Sequence, residues 1–242
     1  MEKKADVIIV GAGPTGSMAA YELWEQNHNL SILLIDKGND IYHRNCPINE
    51  KKISKCPVRP DGSIGCLPNC SITNGFGGAG AYSDGKFNIT SEFGGWMMEY
   101  LDADSLEELI NYVDSVNLRF GAPKEITDPS TTKVREIERR GLAVGLKLLR
   151  ARVRHLGTET NLQILKNLYE YLSSKIQMLF KTEVKKVIIK NGQVEGVVLE
   201  SGETIFAKKV VIAPGRDGSQ WLSDLCHENN ISMHTNHVDI GV

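Results

Sequence analysis

The sequence predicts an α/β fold: a Rossmann-type parallel sheet with an antiparallel β-meander inserted in it. Three observations support this prediction. The chain opens with a strand, a glycine-rich turn, a helix and a second strand; helical periodicity dominates its middle; and short strands separated by turn dipeptides precede a last apolar strand. A strand–helix–strand unit implies two parallel strands joined by a right-handed crossover.

The N-terminal unit consists of three segments. Ala5–Val10 is a β-branched run typical of a strand buried on both faces. Pro14–Gln26 has apolar residues at helical spacing, and its proline suits the first helical position. Ser31–Asp36 is the second strand. Residues 38–75 show no clear period, so we expect a long irregular excursion that is functional or tied down.

The middle of the chain predicts helices. Apolar residues recur at three- and four-residue spacing over Ser105–Phe120, with Ser105 as the start signal, and over Thr160–Lys175. Thr132–Arg140 is expected to be helical as well. Val144–Val153 could be a strand, although its Leu, Lys and Arg residues leave the type open.

The meander follows from alternating segments joined by turn dipeptides. Asn191-Gly192 and Ser201-Gly202 separate short alternating runs, and Asn-Gly in this setting is a strong hairpin signal. The expected strands are Gln177–Phe180, Glu183–Lys190, Gln193–Glu200 and Thr204–Ala207, followed by the buried-strand pattern of Lys209–Ala213.

The first turn predicts a dinucleotide site. Gly11 permits the tight turn, Gly13 lets the backbone approach a pyrophosphate, and Gly16 lets the helix pack closely on the strand. Asp36 lies 20 residues after Gly16, where a carboxylate accepts hydrogen bonds from a ribose diol and repels the 2′-phosphate of NADP. The motif alone does not separate FAD from NAD. The predicted site comprises Gly11, Gly13, Pro14, Thr15, Gly16, Asp36 and Lys37.

Composition argues against two classes of partner. The net charge of −2 offers no basic footprint for nucleic acid. No stretch of 18 or more apolar residues would span a membrane, and the start of the chain lacks the apolar segment of a signal peptide. We therefore expect a cytoplasmic protein that acts on a small molecule; the sequence predicts no oligomeric state.

The last strand resembles a known fingerprint. Val210-Val211-Ile212-Ala213-Pro214-Gly215, after a meander, is similar to the second fingerprint of the two-dinucleotide-fold flavoproteins of the glutathione-reductase-like superfamily, with Pro214 in place of a threonine. In that superfamily the segment equivalent to 182–184 meets the adenine through its backbone. The resemblance implies an FAD/NAD(P)-binding-domain-like fold with FAD as cofactor, and adds Val184, Ala213 and Gly215 to the site.

A second resemblance covers essentially the whole chain. Gly75–Phe87, the run Gly-Arg-Asp-Gly-Ser at 215–219 and the closing His237–Val242 resemble a family of uncharacterised FAD-dependent, NAD(FAD)-utilising dehydrogenases. The resemblance implies an enzyme, an FAD-dependent oxidoreductase, with NAD(P)H as a candidate electron donor. Members of that family are much longer, so the chain is expected to be an N-terminal portion. The expected parts are an FAD-binding unit (1–90), a mainly helical insertion (91–175), the meander with the returning strand (176–220) and the start of a truncated substrate domain (221–242).

The glycine-rich 75–87 loop supplies further candidates. Its small residues let the backbone approach a flat ligand, which adds Gly77, Gly78, Ala79 and Ser83 to the predicted flavin contacts. A cation near the flavin N1–C2=O edge would stabilise the reduced anion, and Lys86 could serve; alternatively, Lys86 merely pairs with Asp84. His155 is the second catalytic candidate, because the resemblance places its segment near the substrate; a structural histidine is the alternative.

Four cysteines crowd one segment as Cys46-x9-Cys56-x9-Cys66-x3-Cys70. Only the last pair meets the usual zinc spacing, whereas iron–sulfur sites tolerate more varied spacing. Redox-active thiols and plain free thiols are the other interpretations.

Three alternatives to a small-molecule oxidoreductase stay open at this stage. They are an RNA-modifying flavoprotein, which the near-neutral charge disfavours, a non-catalytic nucleotide-binding module, and a thiazole-synthase-like enzyme, which the 75–87 loop fits poorly.

Overall fold

The computed structural model describes residues 3–234, and its main feature is a six-stranded mixed sheet in the order β5-β2-β1-β8-β7-β6. The strands are β1 (Lys3–Val10), β2 (Ile32–Ile35), β3 (Lys86–Ile89), β4 (Arg152–His155), β5 (Gln177–Leu179), β6 (Val184–Lys190), β7 (Gln193–Leu199) and β8 (Thr204–Ile212). The helices are α1 (Pro14–Gln26), α2 (Ala103–Arg119), α3 (Thr132–Leu142), α4 (Thr158–Ser173) and α5 (Ser219–Glu228), and short 3-10 turns cover Gly78–Tyr82, Met97–Glu99 and Arg216–Gly218.

The predicted α/β fold is confirmed. β1 pairs in parallel with β2 on one side and β8 on the other, and β2 pairs in parallel with β5. β7 runs antiparallel to both β6 and β8. The predicted Asn191-Gly192 turn joins β6 to β7, with φ angles of 51° and 74°, the left-handed values that a two-residue hairpin turn requires.

Three predicted strands differ from what was expected. Gln177–Leu179 is not part of the antiparallel meander, because it pairs in parallel with β2 after the α4 crossover. The predicted strands Thr204–Ala207 and Lys209–Ala213 form the single strand β8, which pairs with β7 and also with β1. The meander therefore consists of β6, β7 and β8 alone, and β8 joins it directly to the parallel sheet.

The core of the sheet explains the continuous apolar runs of β1 and β2. Ile8, Ile9 and Leu34 are completely buried, and Ile35 is 1% exposed, because these strands lie in the interior of the sheet and are covered on both faces. Leu225 of α5, a helix that the sequence analysis did not anticipate, packs into the same core.

The chain forms two compact units. Unit 1 contains the residues up to Ala79 and those from Tyr169 onward, and unit 2 is Gly80–Leu168. The unit boundaries fall after residues 79 and 168, whereas the expected domain boundaries fell after residues 90 and 175. The expected further domain, 221–242, begins inside α5; His237 and the rest of 235–242 lie outside the described residues.

Unit 2 combines a two-stranded sheet with helices. β3 and β4 are antiparallel, with Lys86 opposite His155. β4 replaces the strand considered over Val144–Val153, whose first half is irregular, with Val144 72% exposed. The apolar side chains of this first half face solvent, so they do not supply the buried face that a strand needs.

The helices of the middle segment were predicted with small errors at their ends. α3 and α4 begin at or within two residues of the expected positions. α2 starts earlier than expected, because Asp102 rather than Ser105 is its N-cap: the Asp102 carboxylate accepts from the Ser105 N–H at 2.9 Å. Residues 38–75 are irregular as expected, apart from a bridge between Val58 and Ile64. None of the helices described is long and apolar enough to cross a membrane.

Candidate nucleotide site

The turn between β1 and α1 contains glycines of two kinds. A Cβ on Gly11, whose φ is 102°, would lie 2.1 Å from the Ala213 carbonyl oxygen, and a Cβ on Gly16 would lie 1.8 Å from the Gly11 carbonyl oxygen. Any other residue at position 11 or 16 would clash with a backbone oxygen of the protein, so the fold itself requires glycine there. A Cβ on Gly13 would have Gly78 Cα, at 3.9 Å, as its nearest neighbour. That distance is an ordinary van der Waals contact, so no clash inside the protein requires a glycine at position 13.

Helix α1 begins directly after Gly13. Gly13 is the N-cap, makes no side-chain cap and is followed by Pro14, and the first turn contains no acidic residue. The N–H groups of Thr15 and Gly16 precede the first helical hydrogen bond, so the helix geometry leaves them without a carbonyl partner in α1. Together with the helix dipole, they favour an anion such as a pyrophosphate.

Asp36 connects this turn to two other segments. Its Oδ2 accepts from the Ala12 N–H at 2.7 Å, and its Oδ1 accepts from Gly38 at 2.7 Å and Gly75 at 2.9 Å. A carboxylate accepts about four hydrogen bonds, so three backbone donors leave room for about one more. The Asp36 carboxylate therefore accepts mainly from the protein backbone. About one acceptor position remains for a ribose hydroxyl, whereas a diol would use two.

A cavity of about 160 Å³ in unit 1 adjoins Asp36. Its apolar wall includes Val10, Ile35 and Val184, and Lys37 forms an ion pair with Asp217 beside it. The remaining lining residues are Gly11, Asp36, Asn74, Thr182, Glu183, Pro214, Gly218 and Trp221. The cavity therefore unites the predicted Asp36, Lys37 and Val184 with groups that the sequence analysis missed, Asn74, Asp217 and Trp221.

Ala213 and Gly215 lie beside the cavity rather than on its wall. The Ala213 N–H donates to the Val10 carbonyl at 2.8 Å, which fixes the end of β8 against the glycine turn. Gly215, with a φ of 63°, is exposed at the start of the next turn. Both stay predictions as cofactor contacts.

The glycine-rich loop in unit 1 packs directly on the first turn. The Gly77 N–H donates to the Ala12 carbonyl at 2.8 Å, and a Cβ on Gly78 would lie 3.1 Å from Pro14 Cδ. Ala79 follows as the last residue of the loop in unit 1. The predicted contacts Gly77, Gly78 and Ala79 are therefore close to the α1 N-terminus.

Arg44 holds this loop in place, and the sequence analysis did not identify it. Its side chain is buried, with the residue 6% exposed, and it donates to the Phe76 carbonyl at 2.6 Å. It also donates to the Ser71 carbonyl at 3.0 and 2.9 Å and to the Ile72 carbonyl at 2.9 Å. An arginine fork suits several carbonyls at once, but no local sequence pattern predicts such a contact.

The two predicted catalytic residues meet in unit 2. Lys86 Nζ lies 2.9 Å from an Asp84 carboxylate oxygen, and His155 Nε2 lies 3.4 Å from the same oxygen. The hydrogen bond from Lys86 lowers the pKa of Asp84, with His155 contributing less. All three side chains are about half exposed. The Asp84–Lys86 pair, which was the alternative interpretation of Lys86, therefore exists. His155 contacts the same carboxylate.

Ser83 stands next to this cluster and stabilises the local turn. Its hydroxyl donates to the Gly80 carbonyl at 2.9 Å and accepts from the Gly85 N–H at 3.2 Å. Its predicted flavin contact stays a prediction.

The metal site predicted at the four cysteines is not confirmed. Cys46, Cys56, Cys66 and Cys70 are free thiols, and no three His, Cys, Asp or Glu side chains within residues 3–234 are grouped closely enough to hold a metal. Burial, with a smaller effect from the neighbouring cysteines, raises the pKa of the Cys66 thiol. A raised pKa reduces the thiolate fraction that both metal binding and thiol redox chemistry need.

Comparison with known proteins identifies a family. The family model described as pyridine nucleotide-disulphide oxidoreductase matches residues 5–223. No curated protein matches the sequence.

Solved structures share the fold at low sequence identity. L-Amino acid deaminase from Proteus vulgaris is 16% identical with a TM-score of 0.51, over 95% of this chain and 51% of that one. The 3-ketosteroid-Δ4-(5α)-dehydrogenase from Rhodococcus jostii RHA1 is 14% identical with a TM-score of 0.51, over 87% of this chain and 45% of that one. The chain therefore spans about half the length of these matched structures.

Replacing Arg44 should destabilise the glycine-rich loop. In Arg44→Met, the carbonyls of Ser71, Ile72 and Phe76 lose their buried donor, so we expect the free energy of unfolding to fall by about 2–4 kcal/mol. Urea denaturation measures this change, and hydrogen exchange at the Gly77 N–H should accelerate. Lys55→Met, an exposed lysine of the same irregular segment, is the control. Equal effects of the two substitutions would contradict the role of Arg44.

Removing Lys86 should change the titration of Asp84. Because Lys86 favours the charged carboxylate, Lys86→Met is expected to raise the Asp84 pKa toward the ordinary aspartate value, as followed by carboxyl-carbon NMR. In the wild type, the pair's contribution to stability is present above about pH 4 and disappears as the pH falls through the lowered pKa. His155→Gln, which removes the weaker contact, should raise the pKa less. An Asp84 pKa unaffected by Lys86→Met would show that the pair does not form in solution.

Proposed function

Since the chain belongs to the pyridine nucleotide-disulphide oxidoreductase family, we propose that it binds FAD and is part of an oxidoreductase acting on a small molecule. The observation that carries the proposal is the N-terminus of α1 at Gly13, where a Cβ would meet no protein atom closer than 3.9 Å and the first N–H groups have no partner within the helix. The Asp36 cavity adjoins the same turn. An anion site next to a pocket with one free carboxylate acceptor has the form of a site for the ADP half of a dinucleotide.

The residues of unit 1 fit that half of FAD. The N–H groups of Thr15 and Gly16 would receive the pyrophosphate, and the remaining acceptor of Asp36 would receive a ribose hydroxyl. The apolar wall that includes Val184 would cover the base. The carboxylates of Asp36, Glu183 and Asp217 line the cavity, whereas Lys37 is already paired, so a ribose carrying a 2′-phosphate is disfavoured.

Bound FAD supplies hydride or electron transfer, and the protein supplies orientation and charge. Within unit 2, Lys86 provides an ammonium group and His155 an imidazole ring. Asp84 keeps both side chains on one side of the β3–β4 pair. We therefore assign Lys86 and His155 as the candidate catalytic groups.

The electron donor in this proposal is a reduced nicotinamide nucleotide. The family description couples a pyridine nucleotide to the reaction, and hydride transfer from NAD(P)H with uptake of one proton would reduce FAD fully. No observation on the described residues favours an RNA substrate or a non-catalytic role.

Gly13→Val should abolish FAD binding without unfolding the protein. Gly13 has a φ of −68°, which valine adopts readily, and its Cβ would lie at an ordinary van der Waals distance of 3.9 Å from Gly78 Cα, so the substitution adds bulk at the α1 N-terminus without a clash at Cβ. We expect the wild type to acquire flavin absorbance with added FAD and the variant to remain colourless with a similar Tm. Gly11→Ala is the matched control, because it should lower the Tm through its clash with Ala213. Full FAD retention by Gly13→Val would mean that the pyrophosphate lies elsewhere.

Reduced nicotinamide should bleach the bound flavin. FAD-loaded protein, mixed anaerobically with NADH or NADPH, is expected to lose its oxidised-flavin absorbance, with dithionite as the reference for full reduction. Bleaching by dithionite but by neither nucleotide would overturn the proposed donor and leave FAD binding intact.

A further inference from the structure

Trp221 is fixed against the strand that begins at the cavity. It lies in the first turn of α5, and its indole N–H donates to the Lys185 carbonyl of β6 at 2.9 Å. The side chain also packs against the buried core of the sheet. The hydrogen bond to β6, next to Val184, and the packing on the core together restrict the orientation of the indole ring.

The same indole forms part of the cavity wall. It lines the cavity together with the aliphatic side chains of Val10, Ile35 and Val184. An aromatic ring of restricted orientation and several branched aliphatic groups favour a flat, apolar ligand surface.

The polar part of the cavity favours neutral donors. Asn74 is 7% exposed, and its amide N–H groups donate to the Cys70 carbonyl at 3.2 Å and to Thr73 Oγ1 at 2.9 Å. Within the described residues, 3–234, its Oδ1 accepts no hydrogen bond, and this oxygen is not among the fully buried atoms that lack a partner. Such an accessible carbonyl oxygen, beside the remaining acceptor of Asp36, suits hydroxyl or amino donors of a ligand.

We infer that Trp221 is a ligand-binding residue of this site, on which the adenine base of the cofactor stacks. The inference rests on the proposed binding of FAD and deepens it by naming the residue that contacts the base. Every base has a flat π face, and stacking on an aromatic side chain contributes about 1–3 kcal/mol per base in nucleic-acid complexes. On this basis we expect the base contact to account for roughly a tenfold change in affinity.

The test compares wild-type protein with Trp221→Ala and Trp221→Phe, titrated with ADP and with FAD. Trp221→Ala is expected to weaken both ligands about tenfold, whereas Trp221→Phe, which retains a ring, should stay within about threefold of the wild type. Melting temperatures monitor the lost hydrogen bond to Lys185, which both substitutions share. A merely structural role would lower the melting temperatures according to the core packing and the hydrogen bond that are lost, without weakening ADP binding tenfold.

Fluorescence provides a readout independent of activity. The chain has three tryptophans, and ADP itself does not absorb in the range of their emission. ADP should quench the emission of the wild type and of Trp24→Phe, whose indole packs against His28 at a centroid distance of 4.9 Å, but should leave Trp221→Phe unaffected.

The outcomes separate this inference from the proposed function. Wild-type protein that binds FAD, together with Trp221→Ala of equal affinity, would overturn the inference alone. Wild-type protein that binds neither FAD nor ADP would overturn the proposed function and the inference with it. Tenfold weakening in Trp221→Ala, with affinity preserved in Trp221→Phe, would support the base contact.

Discussion

The carboxylate of Asp36 is the interaction on which unit 1 depends. Its side chain receives backbone N–H groups from the first glycine turn, from Gly38 and from Gly75. Its own backbone donates to Leu179 at the end of β5 and accepts from Thr182. Asp36 thus joins its own segment to residues near positions 12, 75 and 180, and the cavity lies where these segments meet. Charge-assisted hydrogen bonds to backbone donors suit this task, because they are stronger than neutral ones and fix the donors' direction.

The glycines of the first turn show how a fold and a ligand can require the same residue type for different reasons. Gly11 and Gly16 are required by protein atoms closer than 2.5 Å to an added Cβ, so the chain needs them even without a ligand. Gly13 meets no such atom. A substitution at Gly13 is therefore expected to spare the fold, whereas one at Gly11 or Gly16 is not. The glycine pattern in the sequence does not reveal this difference.

A buried arginine and an exposed acid–base cluster have different physical roles. Arg44 satisfies four hydrogen bonds with three backbone carbonyls, so its charge orders a loop that contains neither helix nor strand up to Gly78. Lys86, Asp84 and His155 are half exposed in unit 2, where solvent screening makes them weak contributors to stability and leaves them accessible for chemistry.

The sequence by itself determined the parallel unit, the helical middle and the hairpin, because these follow from local periodicity, turn residues and the spacing from Gly16 to Asp36. The 75–87 loop indicated Lys86, and a family resemblance indicated His155, as separate candidates. Only the tertiary structure decided that β5 belongs to the parallel sheet and that the Asp36 carboxylate mainly accepts hydrogen bonds from the backbone. Arg44, Asn74 and Trp221 likewise carry no local signature, since their roles come from partners far away along the chain. Asp36 therefore marks the division: its position could be predicted from spacing, and its bonding could not.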